Sequence, residues 1–111
     1  MIEIKVLEYL KARLGIEVYL ETQKDNDEKS YIILEKTSGG NENHINKDTI
    51  AIQSYADSLY KAASLNKRVK EAMLKMPLYE DIGSCKLNSD YNFTDLTSKK
   101  YRYQAVFDIK Y

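Results

Sequence analysis

Few side chains here could do chemistry. The chain of 111 residues carries one histidine, His44, and one cysteine, Cys85. His44 closes the stretch Gly39-Gly40-Asn41-Glu42-Asn43-His44, whose glycines and polar groups raise two options, a phosphate cradle or a metal ligand set. The phosphate option lacks its context: no helix start and no GKS or GKT follows the glycines, which lead into a strand instead. Glycine is expected there to supply positive φ at a turn. A metal centre needs three or four suitable ligands. His44 would have to recruit Glu42, Asp48 or distant carboxylates, with no recognised spacing. A Cys–His nucleophile pair would need residues far apart in sequence to meet. Cys85 falls on the expected inward face of a strand, where a thiol packs as a small hydrophobe. Acid–base work needs two carboxyls in contrasting environments. Glu17 and Glu21 fall on the outer face of a strand, and Asp25 and Asp27 in a charged loop. No residue is assigned a catalytic, cofactor-binding or metal-binding role, and the chain is expected not to be an enzyme.

The elements that would position any site follow from periodicity and punctuation. Val6, Leu10 and Leu14 recur at i, i+4, i+8, which predicts a helix over Ile2–Leu14, capped by Gly15. Alternation predicts a strand over Ile16–Glu21, and Lys24–Lys29 reads as a charged connector. Strands are expected over Tyr31–Thr37 and Asp48–Gln53, which leaves a hairpin connection of about ten residues where two to five are usual. Ser54-Tyr55-Ala56-Asp57 matches a capping box and predicts a helix of roughly 33 Å running to Met76 and stopped by Pro77. Its expected apolar stripe is Leu59, Ala62, Ala63, Val69, Ala72, Met73 and Met76. Two further strands, Ser84–Thr94 and Lys100–Lys110, are joined by Asp95–Lys99. In the first of them Cys85, Leu87, Tyr91 and Phe93 should share one face. The fold class is therefore α/β in the broad sense (α+β). It is a single domain over residues 1–111 with the order αβββαββ, a mixed, mostly antiparallel sheet and both helices on one face.

Composition narrows the function classes. Basic and acidic residues number 17 each, so net charge is zero, which argues against a general nucleic-acid binder. A single cysteine fits a reducing compartment. The N-terminal MIEIKVLEYL mixes charge into its apolar residues and does not read as a signal peptide. No apolar run is long enough to span a membrane. Ten tyrosines against two phenylalanines and no tryptophan suit half-buried surfaces, interfaces or strands.

The stretches YIILEKTSGG, HINKDTIAIQSYADSLYKAA, CKLNSDYNFTD and YRYQAVFDIKY resemble, in order and over almost the whole chain, a group of small proteins encoded in the tail-morphogenesis region of long-tailed phages and prophages of Gram-positive bacteria. The group is the tail-terminator family, also called tail-completion or head–tail joining proteins. The resemblance implies an α/β fold with a sheet packed on helices and a homo-oligomeric ring, usually a hexamer. That ring sits on the last ring of the tail tube, stops its polymerisation and faces the head connector. It further implies assembly in the host bacterial cytoplasm, residence in the virion, DNA only passing through the lumen, and no cofactor or reaction. Partners would be further copies of the chain, the tail-tube protein and the head-completion protein. The family's contact residues form no fixed motif. Two segments are expected at interfaces on position alone: the middle loop with Gly39, Gly40, Asn41, Glu42, Asn43, His44 and Lys47, and the last hairpin tip with Asp95, Lys99 and Lys100. Removing Asn41–Asn46 should then spare the fold and impair assembly. The alternatives are a head-closure or minor tail component and, last, a small hydrolase or nuclease using His44.

Overall fold

The computed structural model describes residues 1–21, 29–98 and 100–111, with Glu42 described through its backbone alone. Most of the charged connector, with Asp25 and Asp27, lies outside the described residues, as does Lys99. The elements are α1 (Ile2–Leu14), β1 (Val18–Tyr19), β2 (Ser30–Glu42), β3 (Ile45–Ala56), α2 (Leu59–Leu74), α3 (Met76–Tyr79), β4 (Ser84–Asn92) and β5 (Tyr101–Lys110). The strands form one five-stranded sheet in the order β1-β2-β3-β5-β4. Among the described strands only the β1–β2 pairing is parallel. The expected element order and the mixed, mostly antiparallel sheet therefore hold, with α3 added as a short extra turn.

One face of the sheet makes the core. Ile32 and Leu34 of β2, Ile50 and Ile52 of β3, and Phe107 and Ile109 of β5 pack against Val6 and Leu10 of α1 and Val69 and Met73 of α2 in a single buried cluster. Each such side chain stabilises the fold by about 1.5–3 kcal/mol when fully buried. α1 ends where the sequence places it: Gly15 takes φ 67°, and its N–H bonds the Lys11 carbonyl. A side chain there would be strained, and glycine is not.

Five expectations about the elements are corrected. Ser54 is not a helix cap. It is fully buried within β3, and Ser58 caps α2 instead, its Oγ accepting from the Lys61 N–H at 3.2 Å. The strand pairings of β3 outcompete the local capping motif, because Ser54 through Ala56 pair on both sides with β2 and β5. α2 ends at Leu74, short of Met76, and Pro77 sits in the first turn of α3, where its missing N–H costs nothing. On α2 the inward stripe includes Leu65 and Asn66, whereas Leu59 is exposed and Ala63 only half-buried. β1 is a stub of two residues inside the expected Ile16–Glu21.

The fifth correction reorients an edge. A bulge between Leu87 and Ser89 shifts the register of β4. One residue of slip turns every later side chain to the opposite face. Cys85 and Leu87 share the face of Phe107 and Ile109, but Tyr91 stands opposite Gln104, and Phe93 packs against Arg102 on the other side. There they join a layer that accounts for several of the tyrosines. Tyr31 and Tyr55 stack with centroids 4.7 Å apart, Tyr19 meets Tyr31 edge-on at 6.2 Å, and Tyr91 meets Phe93 edge-on at 5.8 Å. The Arg102 guanidinium lies 4.4 Å from the Phe93 ring centre and donates to the Tyr55 hydroxyl at 2.7 Å. Beside that row Gln53 donates to Gln104, which donates to the Tyr91 hydroxyl. The polar tips thus satisfy one another while the rings cover the sheet.

Candidate functional site

The two segments expected at interfaces lie at opposite ends of the sheet. β3 and β5 run antiparallel, with Lys47 opposite Lys110 at one end and Ala56 opposite Tyr101 at the other. The β2–β3 turn therefore crowns the first end and the β4–β5 turn the second. The molecule measures 44 Å along its longest axis and 25 and 22 Å across.

At the first end the expected long loop is absent. β2 and β3 stay paired to Glu42 and Ile45, so the connection is Asn43-His44 alone, with φ 52° and 64°. Two successive left-handed residues make the tight turn that matches strand twist, and asparagine tolerates that region best among residues with a side chain. Gly39 and Gly40 are not hinges: neither has positive φ, and both are paired strand residues. Gly39 is required for space. A Cβ built on it would lie 2.5 Å from Oδ1 of Asp48, its cross-strand partner. Asp48 is buried and accepts from the Tyr111 hydroxyl at 2.5 Å. That bond to the carboxylate, with burial, pushes the Tyr111 phenol up to about 12. The Tyr111 backbone exchanges both hydrogen bonds with Asn46. Nor does this hairpin project far: β5 and Tyr111 flank it up to Asn46. His44 is exposed at the turn, and Lys47 is exposed beside a hollow of about 260 Å³ that it lines with Asn43, Ile45 and Lys110.

Cys85 is buried in the core cluster, and burial, helped by Asp108, pushes its thiol up to about 12. It stays protonated, whereas a nucleophilic cysteine needs its thiolate. Among the described residues no three His, Cys, Asp or Glu side chains gather closely enough to hold a metal ion. No described helix is long and apolar enough to cross a membrane.

The second end is built differently. Asp95 and Lys100 exchange both backbone hydrogen bonds. The Asp95 carboxylate accepts from the Thr97 and Ser98 N–H groups and from the Ser98 hydroxyl. Those bonds, the Ser98 hydroxyl foremost, hold its carboxyl below the usual value. The result is a self-tied turn that presents Leu96, 84% exposed, to solvent. Leu59 and Tyr60, in the first turn of α2, are exposed at this same end, since α2 starts just past Ala56.

On the helix side, Met1, Ile4, Leu74, Leu78 and Tyr79 are also exposed. A groove of about 530 Å³ runs between α1 and α3, lined by Ile4, Lys5, Glu8, Tyr9, Ala12, Arg13, Tyr79 and Glu80. The Arg13 guanidinium lies 4.2 Å from the Tyr79 ring centre, and Tyr9 donates to the Ala72 carbonyl at 2.6 Å. Both contacts stiffen its walls. The segment after α3 leads to Gly83, whose N–H bonds the Lys110 carbonyl at the β2–β3 end.

Sequence reasoning placed the Asp95–Lys100 tip at an interface without singling out Leu96, and it passed over the groove. A lone leucine within the polar run TDLTSKK was a readable signal. The groove was not, because its two walls lie far apart in the chain. No family model matches the chain, and no curated protein matches it.

Proposed function

We propose that the chain is a structural, self-associating virion protein: a ring-forming tail terminator that caps the tail tube and joins it to the head connector. The observation that carries the self-association is the placement of exposed apolar side chains on two surfaces, with Leu96, Leu59 and Tyr60 at the β4–β5 end and Ile4, Leu78 and Tyr79 on the helix side. Exposed apolar groups gathered this way mark contact surfaces. Two different surfaces suit a heterologous contact, in which one surface of a subunit meets the other surface of the next. Closure of such contacts makes a ring. The four stretches that resemble tail terminators supply the station in the virion, and a net charge of zero suits a lumen through which DNA slides without sticking.

The test is direct. Negative-stain microscopy and light scattering of the purified protein at high concentration, alone and with tail-tube ends, should show rings or capped tubes. Particles made without the protein should carry overlong or headless tails. A protein that stays monomeric and also fails to bind tube ends would sink the reading.

A further inference from the structure

We infer that the helix-free face of the sheet, at the β2–β3 end, binds a phosphate-like oxyanion between Lys47 and Lys110. The site stands apart from the terminator reading and does not depend on it.

Strand register brings the two lysines together. Lys47 of β3 stands directly opposite Lys110 of β5. The next pair along, Asp48 and Ile109, is buried toward the helices, so alternation turns both lysines to the other face. Opposed residues of an antiparallel pair hold their Cβ atoms about 4.5–5.5 Å apart, and like charges placed so repel. With Asn43 and Ile45 the two lysines line one hollow of about 260 Å³, and none of the four is acidic. Both lysines are exposed, and neither forms an ion pair among the described side chains. Asp108 shares this face without pairing with either. Its oxygens accept from the Thr49 hydroxyl at 2.7 Å and the Asn88 amide at 3.1 Å. An oxyanion between the ammonium groups replaces one repulsion with two attractions, and each ammonium has three N–H donors to offer it. Asn43 adds an amide to the same hollow.

Gly40 is the second observation. It stands opposite Lys47 in the β2–β3 register, without positive φ, and nothing lies within 4 Å of where its Cβ would sit. Neither backbone conformation nor packing calls for glycine there, and glycine weakens a strand unless something approaches the backbone closely. On the far side Ser84 stands opposite Lys110, so one row across the sheet reads Gly40, Lys47, Lys110, Ser84, two cations between two small residues.

The other basic hollow already has its explanation. Arg13, Arg68 and Lys75 gather at the C-terminal ends of α1 and α2, with Glu71 among them, and Arg68 donates to the Leu14 carbonyl at 3.1 Å. Cations there offset the helix dipoles. Lys47 and Lys110 lie on strands and have no such duty.

NMR of the full chain, titrated with sodium phosphate at an ionic strength held constant with chloride, reads the site. Amide shifts should concentrate at Gly40, Asn43, Lys47 and Lys110 and saturate at about millimolar phosphate. Lys47→Gln and Lys110→Gln, at exposed positions, should keep the fold and each weaken binding about fivefold. Lys110→Glu should abolish the response and raise the thermal midpoint without phosphate, because it turns a like-charge pair into an opposite-charge one. A parallel titration with a short DNA duplex separates two sources of the group. The same amides moving at lower concentration assign it to a nucleic-acid backbone, and their silence assigns it to a free ion. Shifts spread evenly to Lys67 and Lys75, shifts that never saturate, or lysine variants that respond like the wild type overturn the site.

Discussion

The two hairpins invite comparison because their sequences mislead in opposite directions. TSGGNENHINK is rich in glycine and polar residues, and TDLTSKK is a short polar run with one leucine. In the first hairpin several polar groups are used internally. Asp48 holds Tyr111, Gly39 makes room for Asp48, and Asn41 donates to Asn46 at 3.1 Å. In the second, the polar groups tie the turn to itself and leave its apolar residue facing outward. Glycine and polar content therefore marked a hairpin whose Gly39 and Asp48 serve the fold, while the apolar exception marked a turn that holds its leucine in solvent. An exposed leucine on an ordered turn gains by finding a partner, and a polar side chain with its bonds already made gains little.

The largest effect expected from breaking this contrast is deletion of Asn41–Asn46. The deletion removes the turn, the last strand pairs and the Asn46 anchor of Tyr111, so circular dichroism melts should show a fold lost or weakened by several kcal/mol. This reverses the expectation drawn from a long loop. Next comes Gly39→Val, which drives a side chain into the Asp48 carboxylate and should cost about 1–3 kcal/mol by denaturant titration. Gly40→Val, with open space at its Cβ position, should cost far less. Equal losses at the two glycines would refute the packing role given to Gly39. His44→Gly should stabilise by about 0.5–1 kcal/mol by relieving the left-handed backbone there, which no catalytic role for His44 would predict.

The smallest effects separate the ends by pH. At the β2–β3 end the Tyr111 phenol is raised from 10.0 to about 12, so its contribution is fully present below pH 10 and fades as pH climbs through 12. Tyr111→Phe should lose that alkaline step in a stability–pH profile. At the β4–β5 end the Asp95 carboxyl is depressed, so its contribution is present above the ordinary value of 3.8 and fades as pH falls through the lower folded value. Thr97 and Ser98 amide resonances should report it in an acid titration, and Asp95→Asn should abolish the shift. A common pH response at both ends would erase the distinction.

Local signals carried much of the architecture. α1 with its Gly15 cap, the alternation of β5 and the element order were all legible, because each depends on neighbours within one or two turns or along a single strand. Ser54 misled because a capping box is a local preference, and the neighbouring strands β2 and β5 claimed its backbone. The GGNENH run misled because glycine has two uses, positive φ and absent bulk, and only the cross-strand position of Asp48 tells which applies. Of the residues expected at interfaces, Asp95 and Lys100 frame the exposed turn, whereas Gly39, Gly40 and Asn41 are strand residues.

By itself the sequence determined the balance of charge, the helix and strand periods, and the scarcity of groups able to do chemistry, all properties of composition and short spacing. Only the tertiary structure decided which face Tyr91 and Phe93 take, that the two hairpin turns lie at opposite ends, and that α1 and α3 make a groove. Those outcomes depend on the strand order β1-β2-β3-β5-β4 and on a one-residue bulge, and neither is encoded in any local window of residues.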